Sequence, residues 1–166
     1  VGLVSVIILN NQNINNIPIY IMQDKIISEK CTALAIGMGL GKDYKNEIKS
    51  ILLENNLPKL IDADLFYDEV ILDILYQNNL IFTPHPKEFC SLLKLTNICH
   101  INIDELQNNR IKYLKLFMQK YPNIVILLKG ANVLIGYQNI IYINDKDSLN
   151  LAKGGSGDIL AGLIVS

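Results

Sequence analysis

Short, unbroken runs of Ile, Leu and Val recur along this chain, and longer amphipathic stretches separate them. That alternation constrains the fold more than any other feature. Strand-length runs without polar alternation suit strands covered on both faces, and their alternation with helix-length segments is the pattern of an α/β sheet. Strands are expected at Leu3–Leu9, Pro18–Met22, Ala33–Ile36, Lys59–Ile61, Leu80–Thr83, Ile124–Leu128, Val133–Ile135 and Ile140–Ile143. Helices are expected at Tyr44–Asn55, Glu69–Gln77, Pro86–Leu93 and Ile103–Tyr121, with a last one opening near Gly157. Within Ile103–Tyr121, Leu106, Ile111, Leu114 and Phe117 or Met118 recur at helical spacing. The last two strands, joined around Gly136–Asn139, read as a hairpin, so the sheet is expected to be mixed and mostly parallel. The Asn-rich stretch Asn10–Asn16 reads as a surface loop.

Composition narrows the class. Half of the 166 residues are hydrophobic and 19% are charged, which excludes intrinsic disorder because there is ample apolar surface to bury. A net charge of −1 supplies no basic field for a nucleic-acid partner. No apolar run reaches the roughly 18 residues of a membrane span, so no membrane partner is expected. Cys31, Cys90 and Cys99 are odd in number and far from metal-ligand spacing, which favours reduced thiols in a cytoplasmic protein. No internal repeat and no Pro/Gly/Ser linker divides the chain, so residues 1–166 read as a single domain. Both ends look cut: the chain opens without Met on a strand-like run and stops at Ser166 inside an apolar, helix-like segment.

Chemistry-bearing residues cluster at the expected strand ends. Gly154-Gly155-Ser156-Gly157-Asp158 leads straight into Ile159–Ile164. Glycines let successive amides turn inward as a nest, and a following helix aims its positive end at the same point, a combination that binds phosphate. Asp158 there repels a phosphate unless it has a reaction to perform, such as taking a proton from a hydroxyl being phosphorylated. The plainer reading makes Asp158 a helix cap. Gly37-Met38-Gly39-Leu40-Gly41-Lys42 follows another strand but fits neither the P-loop nor the dinucleotide glycine spacing. It is either a tight turn or a place where a ligand lies on backbone. Asp62 and Asp64 at a strand end could hold Mg²⁺ through water if the strand continues, or Asp64 could cap a turn. Thr83-Pro84-His85-Pro86-Lys87-Glu88 reads mostly as a helix start, with His85 held between prolines. Lys129, in Leu128-Lys129-Gly130-Ala131, either faces a phosphate as a point charge or is the solvated end of its strand. No Ser–His–Asp order, Cys–His pair or zinc spacing appears, so hydrolytic triads and metal hydrolysis gain no support.

Taken in order, these segments resemble the ADP/ATP-dependent NAD(P)H-hydrate dehydratases, a carbohydrate-kinase-like family of the ribokinase-like superfamily. The resemblance runs through Gly2–Val6, Ala35–Gly41, Ile61–Asp64, Thr83–Phe89, Leu128–Ala131 and Ala152–Gly162. It implies a three-layer α/β/α fold around a central, mostly parallel sheet. It also implies a lyase reaction in which ADP or ATP phosphorylates the C6 hydroxyl of hydrated NADH or NADPH and phosphate then leaves. The roles it implies are Asp158 as base and the amides of Gly155, Ser156 and Gly157 as an anion hole. Gly39, Gly41 and His85 would contact the hydrated dinucleotide. Lys129, Gly130, Ala131, Asn132 and Val133, with Gly157, would bind the nucleotide donor, and Mg²⁺ would accompany it.

Three departures stand out. Met38 replaces a usual Pro, Val133 stands where the family has Thr and so loses a hydroxyl, and Ser156 for Thr keeps one. The family's substrate loop upstream and the helices that follow the last motif are not in this sequence. The resemblance further suggests an epimerase domain upstream and leaves a homo-oligomer open. Two other functions compete: a kinase for a vitamin precursor such as a hydroxyethylthiazole or hydroxymethylpyrimidine, and a non-catalytic adenylate-binding module.

Overall fold

The computed structural model describes residues 3–9, 18–19, 21–41, 44–54, 57–146 and 153–166; the expected loop Asn10–Asn16, together with Gly2, Lys42, Asp43 and Ala152 of the motifs, lies outside them. Strands β1 (Ser5–Ile7) and β2 (Met22–Asp24) pair in parallel as a two-stranded sheet. The second of these starts where the expected strand Pro18–Met22 ends. The Ile21 amide closes a turn on the Pro18 carbonyl at 2.9 Å, so the chain turns before it extends.

The central sheet holds β3 (Leu34–Ile36), β4 (Lys59–Ile61), β5 (Leu80–Phe82), β6 (Ile124–Leu128), β7 (Leu134–Tyr137) and β8 (Ile140–Ile143), adjacent in that order. The first four run parallel and the last two antiparallel, as a hairpin turning at Gln138. The mixed, mostly parallel sheet agrees with the sequence expectation. All three residues of β4 are buried, so both of its faces are covered, whereas β2 and most of β8 are exposed. Continuous apolar runs therefore mark burial at the middle of the sheet and not at its edges.

Helices α1 (Lys45–Glu54), α2 (Pro86–Leu95), α3 (Ile103–Asn108), α4 (Arg110–Lys120) and α5 (Ser156–Val165) complete the fold. Two expectations are corrected. The segment expected as a helix from Glu69 is a 3₁₀ turn over Glu69–Asp73, preceded by another over Ala63–Tyr67. Asp68 caps the second of these by accepting from the Val70 amide at 3.0 Å, and β-branched Val70 and Ile71 disfavour a longer helix. The helix expected over Ile103–Tyr121 breaks at Asn109, whose Nδ2 donates to the Glu105 carbonyl at 3.2 Å. The break resets the helical phase: Ile111 is 42% exposed, and Tyr113, Leu114, Phe117 and Met118 form the buried face of α4.

Phe117 is the hub of the core. Its ring meets Phe82, Phe89 and Tyr121 with centroids 5.1–6.4 Å apart, and Phe66 stands edge-on to Phe82. Each buried ring contributes about 1.5–3 kcal/mol by leaving water. This cluster joins α2 and α4 to β5 at Phe82.

Candidate active site

The carboxyl ends of β3, β4, β5 and β6 are stitched together beyond the strands themselves. The Asp62 amide donates to the Ile36 carbonyl at 2.9 Å, the Thr83 amide to Ile61 at 3.1 Å, and the Lys129 amide to Pro84 at 2.9 Å. Ile36, Ile61, Phe82 and Ile126 stand in step across the sheet, so the glycine turn, the acidic pair, His85 and Lys129 all leave from one edge. Gly37 permits the closest approach there. Its φ is +127°, and a Cβ would stand 1.7 Å from the Asp62 carbonyl oxygen. Beyond it, a Cβ added at Gly39 or Gly41 would meet nothing within 4 Å, which leaves backbone open to a ligand.

The expectation that Asp62 and Asp64 share a direction fails. The strand stops at Ile61, and Ala63 takes a positive φ of 51°. Asp64 accepts from the Gly41 amide at 3.0 Å and thereby pins the glycine turn, and Asp62 turns instead to Lys129. Neither acts as a side-chain cap of the turn that follows. Among the described residues no group of three or more His, Cys, Asp or Glu side chains could hold a metal ion.

A charged chain crosses the strand ends. Lys129 Nζ lies 2.8 Å from Asp62 Oδ1 and 3.9 Å from Glu88 Oε2, so Lys129 is not the solvated end of its strand. Glu88 is buried at the start of α2 and accepts the His85 amide at 2.7 Å. Its other oxygen lies 3.0 Å from His85 Nε2. His85 Nδ1 accepts the amides of Lys87 and Glu88 at 3.1 and 3.3 Å, closing a reciprocal cap. Because Nδ1 accepts, Nε2 carries the proton, and it stands beside the Glu88 carboxyl. Burial raises the Glu88 carboxyl from 4.5 to about 7, against the opposing pull of the His85 amide and of Lys129. Burial and the nearby Lys129 charge hold the His85 imidazole below its usual 6.5.

The turn after β6 carries Gly130, Ala131, Asn132 and Val133, the last of which lies before β7 and not within a strand as expected. Its carbonyls converge on Arg110. Nη2 donates to Leu128 and Lys129 at 3.1 Å each, and Nη1 to Asn132 at 3.1 Å and also to Ala131.

Helix α5 packs against β3 and β4. Its N-cap is Gly155, with φ +83°, and Ser156 Oγ bonds the Lys153 carbonyl at 2.8 Å. A Cβ at Gly157 would lie 3.7 Å from Lys129 Nζ and 3.8 Å from Asp62 Oδ2, which sets the glycine-rich start of the helix on the ion pair. Asp158 is exposed in the first turn and does not cap the helix, so the plainer sequence reading of this residue is corrected.

His85, Lys129, Gly157 and the Gly37–Gly41 turn are thus brought to one sheet edge, joined through Asp62, Asp64 and Glu88. Sequence reasoning took Glu88 as an ordinary helix-start residue. It passed over Arg110, whose only signal was that it is the single arginine of the sequence, in the middle of an apparently continuous helix.

Comparisons with known proteins bear on the fold and the family. A solved structure of the ADP/ATP-dependent NAD(P)H-hydrate dehydratase from Bacillus subtilis, co-crystallized with ATP/Mg²⁺ and soaked with CoA, is similar at a TM-score of 0.66 and 26% identity, over 88% of this chain and 55% of that one. The bifunctional NAD(P)H-hydrate repair enzyme Nnr of Helicobacter pylori is 45% identical over 152 residues, 92% of this chain and 32% of that protein. The ADP-dependent (S)-NAD(P)H-hydrate dehydratase of Nitrosopumilus maritimus is 30% identical over 83% of this chain and 46% of its own length. The chain therefore spans less than half of either relative. A family model described as NAD(P)H-hydrate dehydratase matches residues 1–166, and the chain belongs to that family.

Proposed function

We propose that this chain carries the catalytic part of an ADP- or ATP-dependent dehydratase that restores hydrated NADH or NADPH. The observation that carries the reading is the seat of Gly157 on the Lys129–Asp62 pair, which brings a glycine-rich helix start and a strand-end lysine to one point. Such a point suits a phosphoryl group in transfer, because fixed amides and a cation need no rearrangement as charge develops.

In this mechanism the hydrated dinucleotide lies on the open backbone of Gly39 and Gly41, beside His85. The nucleotide donor lies along Lys129–Val133. Asp158 takes the proton of the C6 hydroxyl as its oxygen forms a bond to the terminal phosphorus of the donor. The donor leaves as AMP from ADP, or as ADP from ATP, and the amides of Gly155, Ser156 and Gly157 hold the phosphoryl oxygens. Loss of a proton from C5 and of phosphate from C6 then re-forms the ring double bond. No oxidant or reductant is consumed.

Asp62 and Asp64 are engaged by Lys129 and by the Gly41 amide, so we take any Mg²⁺ to arrive on the nucleotide phosphates and not on these carboxylates. Bound there, the ion supplies charge neutralisation on the phosphates. Among the described residues no helix is long and apolar enough to cross a membrane, and we place the protein in the cytoplasm. The bifunctional character of the Helicobacter pylori relative supports a second catalytic domain in the whole protein, which we take to be an epimerase.

The test is phosphate release by the full-length protein with hydrated NADH or NADPH and either nucleotide, alongside return of reduced-nicotinamide absorbance. Phosphorylation of hydroxyethylthiazole or hydroxymethylpyrimidine with no action on the hydrate would overturn the reading in favour of a vitamin-precursor kinase. Adenylate binding without turnover would point to a sensing module.

A further inference from the structure

We propose that Arg110 is a positioning residue for the nucleotide donor: its guanidinium gathers the carbonyls of the turn after β6 and so fixes the backbone course of the segment along which the donor lies. The proposal rests on the reading of Lys129–Val133 as the donor segment.

The geometry begins with one side chain bonded to four carbonyls, those of Leu128, Lys129, Ala131 and Asn132. In a trans peptide the C=O and the following N–H point in opposite directions. The first of these planes shows the consequence directly: the Leu128 carbonyl meets Arg110 while the Lys129 amide leaves on the other side, for Pro84 at 2.9 Å. The same planarity sends the Gly130 amide away from the guanidinium, because the Lys129 carbonyl faces it, and likewise the Val133 amide behind the Asn132 carbonyl.

Two further features show that the arrangement is built around this side chain. Arg110 occupies the first turn of α4, where the helix dipole disfavours a cation, and no acidic residue accompanies it there. The carbonyl partners offset that cost. Gly130 has φ +130°, and a Cβ there would come within 3.3 Å of Arg110 Nη2, so the loop closes tightly over the guanidinium plane. A planar fork can serve several carbonyls together; a lysine ammonium is a single point charge on a flexible stem and cannot. With both terminal nitrogens committed to backbone, Arg110 acts through the loop.

The experiment uses the full-length enzyme with Arg110→Lys, Arg110→Ala and Gly130→Ala. Calorimetry measures Kd for ADP and ATP and, separately, for NADPH as a stand-in for the hydrated dinucleotide. All three variants are expected to weaken nucleotide binding about tenfold or more while NADPH changes less than about threefold, the signature of a lost local geometry. Millimolar methylguanidinium should restore part of the nucleotide affinity of Arg110→Ala and none of that of Gly130→Ala. Equal loss of both ligands in step with a lowered melting temperature would make Arg110 a structural residue and overturn the proposal. Unchanged nucleotide binding in Arg110→Lys would overturn it too. Failure of the unmutated protein to bind adenine nucleotide would instead bring down the reading of the donor segment, and the proposal with it. Arg110→Lys keeps the charge, so it gives a result even where Arg110→Ala does not fold.

Discussion

Lys129 Nζ stands 2.8 Å from Asp62 Oδ1, although 67 residues separate the two in the chain. The Asp62 side chain is only 4% exposed and that of Lys129 21%. Truncating one member leaves the other charge buried without its partner, which costs more than the pair contributes when whole. Lys129→Met is therefore expected to destabilise the fold by about 3 kcal/mol. Asp62→Asn with Lys129→Met should recover most of that loss. Urea unfolding of the four species in a double-mutant cycle measures the coupling, and simple additivity would show that the pair is not an energetic unit.

Glu88 imposes a pH dependence of determinable sign. Its folded-state value of about 7 lies above the ordinary 4.5, so between those values the folded chain holds a proton that the unfolded chain releases. Stability from this group is full below pH 4.5 and is lost as pH rises through about 7. His85 has the opposite sign, because its value is lowered: its contribution is present above 6.5 and is lost as pH falls through the folded value. Glu88→Gln removes the first limb alone. Relative to the parent, it should gain about 1–2 kcal/mol at pH 8 over pH 4.5, after allowance for solvent screening. Urea midpoints across that range measure it, and parallel curves would rule it out.

The fold was legible in the sequence where a short apolar run is bounded by polar or turn residues, whether or not the strand is buried. Lys59–Ile61, Ile124–Leu128 and Ile140–Ile143 are strands with the bounds that their apolar runs suggest. Ile103–Tyr121 misled because an apolar periodicity continues across Asn109, and a side chain bonding to the local backbone carries no weight in a hydrophobic pattern. At the site, residue types picked out the strand ends, since Gly, Asp, His and Lys there are unusual in any strand. Which of them touch was not legible. That depends on the register of β3 to β6, which pairs residues distant in the sequence, and on the positive φ of Ala63, which sends Asp62 to Lys129 and Asp64 to Gly41.

His85 has Nδ1 committed as the helix cap and Nε2 held beside Glu88, so it suits positioning and not proton transfer. Asn caps a helix well, and His85→Asn should cost less than about 1 kcal/mol of stability. It still removes the ring beside the expected substrate. KM for the hydrated dinucleotide should then rise about tenfold, with kcat within a few-fold. His85→Ala should show the same kinetic change and a larger loss of stability. A collapse of kcat at unchanged KM would assign chemistry to the imidazole.

Asp158 decides whether the site performs chemistry. Among the described residues no partner is bonded to its carboxylate, and Gly155, not Asp158, occupies the cap position of α5. Among the described residues the carboxylate has no hydrogen-bonding role, and it is worth about 0.3–1 kcal/mol to the helix through its dipole. Asp158→Asn is nearly isosteric and removes a negative charge that opposes phosphate, so nucleotide affinity should hold or rise. If the carboxylate takes the proton of the C6 hydroxyl, turnover should fall by about two to four powers of ten, the usual contribution of a positioned general base. A contribution to the helix dipole alone would leave turnover within a few-fold and move only the melting temperature. Calorimetric Kd and steady-state turnover on the same full-length preparation separate these outcomes. A fully active Asn variant would remove the base from the mechanism and leave the Gly155–Gly157 amides and Lys129 as a binding surface only.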